Sequence, residues 1–387
     1  MDFQFEERFG DIQRQMYALC QRFDDQYWLD RDNDGRFPEE FYRAVADAGW
    51  LGIAMPEAYG GAGLGISEAA AIVQVAAERG GISATSAIHM NIFGLHPVVV
   101  FGTEEQKSRM LTPLIKGETK ACFAVTEPTT GLNTTKLKTK AIRRGDTYYI
   151  SGQKVWISTA QVADHMLIIA RTTPIEDVKK PTDGLSLFYT KLDRRYVDVR
   201  EIPKMGRKAV DSNELFINEL PVPAEDMIGE EGKGFECILH GMNPERILVS
   251  AEAVGVGRSA LARAAKYARE RIVFDRQIGQ NQGVQHPLAK SWIELEAANL
   301  MAFRAAHLYD SGLPCGPEAN AAKYFASESA FRACENAFFT HGGFGYAKEF
   351  HIERLLREIM IFRVAPISPQ LILCSIAEKK LGLPKSY

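Results

Sequence analysis

Two short apolar runs of the sequence carry residues that could hold a flat, polar ligand. Phe123-Ala124-Val125-Thr126 leads into a turn at Glu127-Pro128, and Lys154-Val155-Trp156-Ile157-Ser158 is a second strand-like run. A tryptophan in a β domain usually belongs to the core. Beside hydroxyl groups, however, an aromatic face also suits one wall of a pocket for a planar cofactor. The sequence therefore indicates a candidate cofactor wall, provided that the fold brings the two runs together.

The composition excludes several classes of protein. Of the 387 residues, 46% are hydrophobic and 25% are charged, and the net charge is −3. A chain of this kind buries a large core without disulfides or metals and is not disordered. Near-neutral charge gives no reason to expect nucleic-acid binding. The cysteines and histidines lack metal-ligand spacing, and no stretch reaches 18 apolar residues, so we expect free thiols, no metal, no membrane span and a cytoplasmic protein.

Three regions with different periodicity must position any site, and together they predict an α+β fold. Residues 1–120 are expected to form an N-terminal helical domain, residues 121–230 a central antiparallel β domain, and residues 231–387 a C-terminal helical domain. In the middle region, β-branched and aromatic runs alternate with turn residues. In the last region, long helices are expected over roughly 283–311 and 316–341, after an earlier one that begins near residue 243.

The earlier of these helices has a candidate start signal. Asn243 is a plausible N-cap, and Pro244 suits the first helical position. This start places Glu245 in the first turn, where an acidic side chain commonly compensates the helix dipole.

Further motifs follow in a fixed order along the chain. They are Met205-Gly206-Arg207, Gly232-Lys233-Gly234-Phe235, Tyr267-Ala268-Arg269-Glu270-Arg271, His341-Gly342-Gly343-Phe344-Gly345-Tyr346 and Glu353-Arg354-Leu355-Leu356-Arg357-Glu358. In this order and spacing, the whole set resembles the acyl-CoA dehydrogenase family from near residue 5 to the C-terminus. The resemblance implies a C-terminal four-helix bundle, FAD, an acyl-CoA substrate and an electron-transfer flavoprotein as partner. It also implies a homotetramer built as a dimer of dimers.

The resemblance further implies which residues contact FAD in the same subunit. Phe123, Val125 and Thr126 would line the isoalloxazine ring. Trp156 and Ser158 would lie on another side of it.

A second set of FAD contacts would serve a neighbouring subunit or the far end of the cofactor. The resemblance implies that Arg271, Phe274 and Gln282 reach the FAD of a neighbour. Gly342 and Gly343 would let the backbone approach the adenosine diphosphate part, since a glycine has no Cβ.

Two positions depart from the family pattern around FAD. Leu132 stands where a serine is common, and Phe339 stands where a glutamine is common. Each change removes a hydrogen bond worth about 1 kcal/mol net. We expect FAD binding to survive both losses.

The usual catalytic base of the family is missing from this sequence. The family's reaction removes the α-proton of an acyl thioester while the β-hydride passes to flavin N5, and most members place the base in an Ile-Tyr-Glu-Gly-Thr segment. Here that segment is Val364-Ala365-Pro366-Ile367-Ser368, and Gln370 follows it. Ser368 and Gln370 match the flanking Thr and Gln, and the resemblance implies that both bind FAD. Pro366 has neither a carboxylate nor an N–H. The lost N–H is one of the family's oxyanion donors, and such a donor is worth about 3 kcal/mol.

A replacement for each lost group is available. The N–H of Ala365 or of Ile367 could act as the donor. Glu245 occupies a helix position that carries the catalytic Glu in a minority of the family, so the resemblance implies Glu245 as the base and Arg246 as a contact for the CoA portion. Glu252 lies two turns farther along the helix, and is a poorer candidate for the base.

Three functions stay open from the sequence. The first is an acyl-CoA dehydrogenase with Glu245 as base. The second keeps FAD and a thioester but uses different chemistry, as a desulfinase, an oxidase or an enzyme acting on a carrier-protein thioester, and Pro366 favours it. The third is a degenerate, non-catalytic subunit that pairs with an active homologue.

Overall fold

The protein, described here for residues 5–386 by a computed structural model, folds as helices, then strands, then helices. The N-terminal helices are α1 (Phe5–Cys20), α2 (Asp25–Asp34), α3 (Glu39–Asp47), α4 (Ile66–Gly80), α5 (Ile82–Phe93), α6 (His96–Phe101) and α7 (Glu104–Ile115). The strands that follow are β1 (Ala121–Ala124), β2 (Lys140–Arg144), β3 (Thr147–Ser158), β4 (His165–Arg171), β5 (Leu185–Lys191), β6 (Val197–Glu201), β7 (Ser212–Pro223) and β8 (Met227–Ile228). The remaining elements are α8 (Gly234–Glu270), a hairpin of β9 (Ile272–Val273) and β10 (Arg276–Gln277), α9 (Gln282–Asp310), α10 (Gly316–His341), α11 (Ile352–Ile359) and α12 (Pro369–Leu381). This order confirms the predicted α+β class.

The central sheet is mixed and not purely antiparallel as the sequence predicted. Its strand order is β6-β7-β3-β2-β4-β5-β8, with β1 beside β4. Most neighbours are antiparallel, but β1 pairs with β4 in parallel, and β2 meets β4 in parallel at one position. A parallel pair needs a long crossover connection. Here the β2–β3 hairpin supplies the chain length between β1 and β4.

Strand β3 is longer than the sequence suggested. The run 154–158, which was expected to be a separate strand, is the second half of β3. Its register against β7 shifts between Lys154 and Ile157, so the strand bulges there. A bulge bends a strand and redirects its side chains.

Helix α8 begins at Gly234, and the predicted start at Asn243 is wrong. Pro244 lies inside the helix. The helical turns before Pro244 are stabilised by burial, because Cys237 and Ile238 are each 2% exposed in a core with Leu95. Burial of these side chains outweighs the cost of one missing backbone hydrogen bond.

Helices from both ends of the chain share their cores. Helix α8 packs against α10, α4 and α9, and α12 packs on α10. One core joins residues of α4 with Ile247 and Leu248 of α8. The domain limits 1–120, 121–230 and 231–387 stay a prediction, since this packing crosses them.

One apolar stretch has the length and composition of a membrane-crossing helix. It covers 82–101, which are α5, a short turn and α6, and 67% of its most apolar window is buried inside the fold. A buried core helix of a soluble protein shows the same composition.

Candidate active site

The two runs of the candidate cofactor wall lie side by side. The backbone N–H of Val155 donates to the Thr126 carbonyl at 2.9 Å. The Lys154 ammonium, which is fully buried, donates to the Val125 carbonyl and to Glu127 Oε1, each at 3.0 Å. The ends of β1 and β3 are therefore locked together.

Glu127 takes part in this contact and accepts two further hydrogen bonds. Its other bonds come from the N–H groups of Lys138 at 2.6 Å and Thr139 at 2.9 Å. Burial opposes ionisation of Glu127, but Lys154 and these donors outweigh it and lower the pKa of the carboxyl group. Burial also lowers the pKa of Lys154 to about 8. The pair holds the wall in place, and three of the roughly four acceptor sites of Glu127 are occupied within the fold.

The face of the wall suits a flat, polar group such as a flavin. Trp156 sits in the β3 bulge with φ of 62°, and 59% of it is exposed. Phe123, Thr126 and Ser158 are partly exposed, whereas Val125 is buried, so only its backbone is offered. An indole face beside hydroxyl and backbone groups fits the ring system of FAD.

Arg207 hydrogen-bonds to Ser158 and links the wall to helix α5. Its guanidinium donates to Ser158 Oγ at 2.9 Å, to Ser212 Oγ at 3.0 Å and to Ser86 Oγ on α5 at 3.3 Å. Because Arg207 fills an acceptor site of Ser158, the hydroxyl hydrogen of Ser158 is left to donate to a ligand. Burial lowers the pKa of Arg207.

A second group of predicted cofactor residues lines a separate open cleft of about 600 Å³. Arg271, Gly342 and Gly343 line it together with Phe339. No heavy atom lies within 4 Å of where a side chain would extend from either glycine, so the backbone is open to a ligand.

Phe274 and Gln282 are exposed and do not line this cleft. Phe274 is 94% exposed. None of the wall residues lines the cleft either. The predicted FAD contacts thus lie apart within one chain, in the wall and in the cleft, with Phe274 and Gln282 outside both.

Lys323 of α10 anchors the segment that carries Pro366. Its buried ammonium donates to the carbonyls of Phe362 at 2.6 Å and Ile367 at 2.8 Å. Burial lowers the pKa of Lys323 to about 8, although the charge of Glu245 counteracts this. Lys323 therefore bonds directly to the segment around Pro366 and acts on Glu245 through its charge.

Glu245 is a partly buried carboxylate with no hydrogen-bond or ion-pair partner within residues 5–386. Burial raises its pKa, while the charges of His89 and Arg246 act in the opposite direction. Helix α8 begins about three turns earlier. The helix dipole consequently does not explain this acid, contrary to the alternative that the sequence suggested.

The segment around Pro366 leaves one of the two expected replacement donors free. The N–H of Ala365 already donates to the Ile361 carbonyl at 2.8 Å. The N–H of Ile367 has no partner among the described residues. Ser368 is the N-cap of α12, and Gln370 is exposed.

Arg246 and Glu252 are two charged residues that follow the candidate base on α8. Arg246 is partly buried and contacts Asn243 Oδ1 at 3.4 Å. Both oxygens of Glu252 are engaged, by His89 at 2.6 Å and by Thr85 at 2.9 Å. Glu252 is therefore held by partners on both oxygens, unlike Glu245. In the described part of the chain, no three His, Cys, Asp or Glu side chains are grouped so as to hold a metal.

Sequence reasoning overlooked Arg207, Lys323 and His89 as site residues. A signal existed for Lys323, because it lies four residues after Ala319 and three before Ala326, both fully buried, on one face of α10. A lysine on the buried face of a helix needs a partner, and this implies a special role. Arg207 belonged to the motif Met205-Gly206-Arg207, but no role was assigned to it.

Comparison with known proteins gives a consistent assignment. The N-terminal, middle and C-terminal domain families of acyl-CoA dehydrogenases match residues 8–118, 122–220 and 232–366. The chain is 35% identical over 371 residues to an acyl-CoA dehydrogenase, FadE12, of Mycobacterium tuberculosis, covering 94% of this chain and 93% of that protein. It is 33% identical over 334 residues to the caffeyl-CoA reductase-Etf complex subunit CarC of Acetobacterium woodii, covering 86% and 87%.

A solved structure of the FAD complex of PigA superposes with a TM-score of 0.92 at 26% identity, covering 99% of this chain and all of that one. The wall and the cleft, with its two open glycines, suit FAD, and that structure holds FAD in the same fold. The chain is accordingly a member of the acyl-CoA dehydrogenase family, an FAD-dependent oxidoreductase that acts on CH–CH bonds.

Proposed function

We propose that this protein dehydrogenates an acyl-CoA thioester between its α and β carbons, with Glu245 as the base. One observation carries the proposal. Glu245 is a partly buried carboxylate without a hydrogen-bond partner in the described structure, and it is under the charge of Lys323, which holds the segment where the family's usual base lies. An acid so placed can reach the same region of a bound substrate from the side of α8.

The chemistry divides among a few groups of the chain. The Glu245 carboxylate accepts the α-proton of the thioester. The free N–H of Ile367 is the donor best placed in the segment to stabilise the negative charge on the thioester oxygen. Arg246 supplies a positive charge for the CoA portion. FAD, when bound, supplies the acceptor for the hydride that leaves the β carbon.

The environment of Glu245 suits a general base at neutral pH. Burial raises the pKa of its carboxyl group above the ordinary value of 4.5. A base is most effective when its pKa lies near the working pH, because its proton affinity and its ionised fraction are then balanced. We expect activity to rise with pH through the pKa of Glu245.

Replacement of Glu245 by glutamine tests the assignment directly. Purified holoenzyme is mixed anaerobically with a panel of acyl-CoAs that covers short, branched, aromatic and long chains, and flavin bleaching is followed. Glu245→Gln should slow bleaching at least about 1,000-fold, because general-base catalysis contributes up to about four orders of magnitude. FAD should stay bound. Glu236→Gln, an exposed change on the same helix, is the matched control. Bleaching of the Glu245→Gln variant at the wild-type rate would show that another group is the base.

We further propose that electrons pass to an electron-transfer flavoprotein in the cytoplasm. The relative CarC is named as a subunit of a complex with such a protein. Reduced holoenzyme should reoxidise faster with a purified electron-transfer flavoprotein than with dioxygen. Equal rates with both acceptors would favour an oxidase.

We also propose that the chain forms a homotetramer. The separation of the wall from the cleft supports this, because each group contains only part of an FAD site. Exposed apolar side chains on α9, including Trp292 at 58% and Ile293 at 61%, offer surface for such contacts. Sedimentation should give a mass four times that of the 43.1 kDa chain. A monomer with full FAD content would contradict a shared site.

A second function keeps the flavin and the thioester but not the dehydrogenation. Pro366 favours it, since the position has lost both the carboxylate and the N–H that most of the family use. In that case no member of the acyl-CoA panel bleaches the flavin, although FAD is bound. A protein that cannot bind FAD would instead be a non-catalytic partner subunit.

A further inference from the structure

An ion pair that the proposed mechanism does not use includes Glu252, which lies on the same helix as Glu245 and about two turns after it. Nδ1 of His89 on α5 is 2.6 Å from Oε1 of Glu252 on α8, and Thr85 Oγ1 donates to Oε2 at 2.9 Å. The Glu252 side chain is 2% exposed, and that of His89 is 14% exposed. Glu252 is thus fixed on both oxygens, and the imidazole that it holds keeps one accessible edge.

The surroundings of the imidazole favour its positively charged form. Burial disfavours the charged form, but the charge of Glu252 and its hydrogen bond outweigh burial and raise the pKa of His89. Glu245 of α8 and Arg207 of the loop before β7 are the other charges that act on it. The Phe93 ring covers one side, with 4.5 Å between the ring centroids.

The base has cations on three elements. The charged groups that act on Glu245 are His89 of α5, Arg246 and Glu252 of α8, and Lys323 of α10. Lys323 is committed to two backbone carbonyls and Arg246 is assigned to the CoA portion. Of these cations, His89 is the one that a buried carboxylate anchors, so its charge is held in place whether or not a substrate is bound.

Resting on the proposed role of Glu245, we propose that His89 and Glu252 form a positioning pair, in which Glu252 fixes the imidazolium of His89 and this charge keeps the Glu245 carboxylate ionised. Without the charge, burial would let Glu245 hold its proton to a higher pH, and a protonated acid cannot accept the α-proton. His89 does not take the substrate proton itself, because an imidazolium has no free lone pair.

The pH dependence of proton removal tests this role. The acyl-CoA that bleaches the flavin fastest in the panel is compared with its analogue that has sulfur in place of the β carbon. The analogue can lose an α-proton but has no β-hydride to give. Its long-wavelength charge-transfer absorbance beside oxidised flavin therefore reports α-proton removal alone.

The rate of flavin reduction should rise with pH, and this rise is called the acid limb of the pH profile. In His89→Gln, the midpoint pH of the acid limb and the midpoint pH of the analogue titration should both increase by about one unit. Below the limb, the rate should fall about tenfold, since one pKa unit is a factor of ten. His89→Lys, which keeps a cation, should restore the wild-type limb.

His96→Gln is the matched control. His96 is a partly buried histidine on α6 that bonds to the Tyr309 hydroxyl at 2.6 Å. Burial lowers its pKa to about 4, so its removal takes away no charge at neutral pH. Its pH profile should match the wild type.

A wild-type limb in folded, FAD-loaded His89→Gln, or a displaced limb in His89→Lys, would overturn the proposal. If His89→Gln does not fold, His89→Lys alone decides, and a wild-type limb supports the pair. If Glu245→Gln is inactive and the acid limb of His89→Gln is unshifted, only the proposed role of the His89–Glu252 pair is refuted. Active Glu245→Gln refutes the proposed base instead.

Discussion

Glu127 and Glu245 are both removed from bulk water, yet their surroundings are opposite. Glu127 accepts hydrogen bonds from Lys154 and from two backbone N–H groups, and these lower the pKa of its carboxyl group against the effect of burial. Glu245 has no such partner in the described structure, and burial raises its pKa. A saturated carboxylate stabilises the fold, whereas an unsatisfied one is available to a ligand.

The lysines beside these acids extend the comparison. Lys154 and Lys323 are both fully buried and both donate to backbone carbonyls, and burial lowers the pKa of each to about 8. Lys154 also bonds directly to its acid, at 3.0 Å. Lys323 influences Glu245 only through its charge. The structural acid is therefore bonded directly to its lysine and to two backbone N–H groups, whereas the candidate base is influenced by its lysine only through charge.

The largest expected effect comes from breaking the saturated pair. Lys154→Met leaves Glu127 as a buried charge without its counter-ion, and we expect the free energy of unfolding to fall by about 3–5 kcal/mol. Chemical unfolding and FAD content measure the effect. Lys140→Met, an exposed change on β2, is the control. A loss below about 1 kcal/mol would mean that the pair does not hold the wall.

A smaller effect is expected at Lys323. Lys323→Met removes two hydrogen bonds to carbonyls but strands no directly bonded acid, so we expect a loss of about 2 kcal/mol. Hydrogen exchange of the amides in 362–368 should become faster. The exposed Lys266→Met on α8 is the control. Unchanged exchange would show that the segment keeps its position without Lys323.

The smallest effect has the opposite sign. Because the folded pKa of Glu245 is raised above 4.5, the folded protein binds this proton more tightly than the unfolded chain, and stability falls as pH rises through this interval. Glu245→Gln removes that cost, so the free energy of unfolding should rise by roughly 1 kcal/mol at pH 8 and by less at pH 5. The midpoint of chemical unfolding at each pH measures this change. A variant that is less stable than the wild type at pH 8 would place a stabilising partner at Glu245.

Much of the architecture was predictable from local patterns. The helices expected over 283–311 and 316–341 match α9 and α10 within a residue. The predicted start of α8 was wrong, because burial of Cys237 and Ile238 extends the helix through Pro244. The pairing of β1 with β4 was also missed, since no local pattern records which distant strand becomes a neighbour.

The sequence by itself determined the family, the cofactor and the shortlist of acids, because residue types at fixed spacing are local information. Only the tertiary structure decided which acid is satisfied. Glu127 meets Lys154 across 27 residues, and Glu252 meets His89 across 163. A carboxylate's proton affinity depends on burial and on partners brought from such distances. The sequence had already proposed Glu245 as the base, and the fold added a physical difference, because it supplies partners to Glu127 and Glu252 and, within the described residues, none to Glu245.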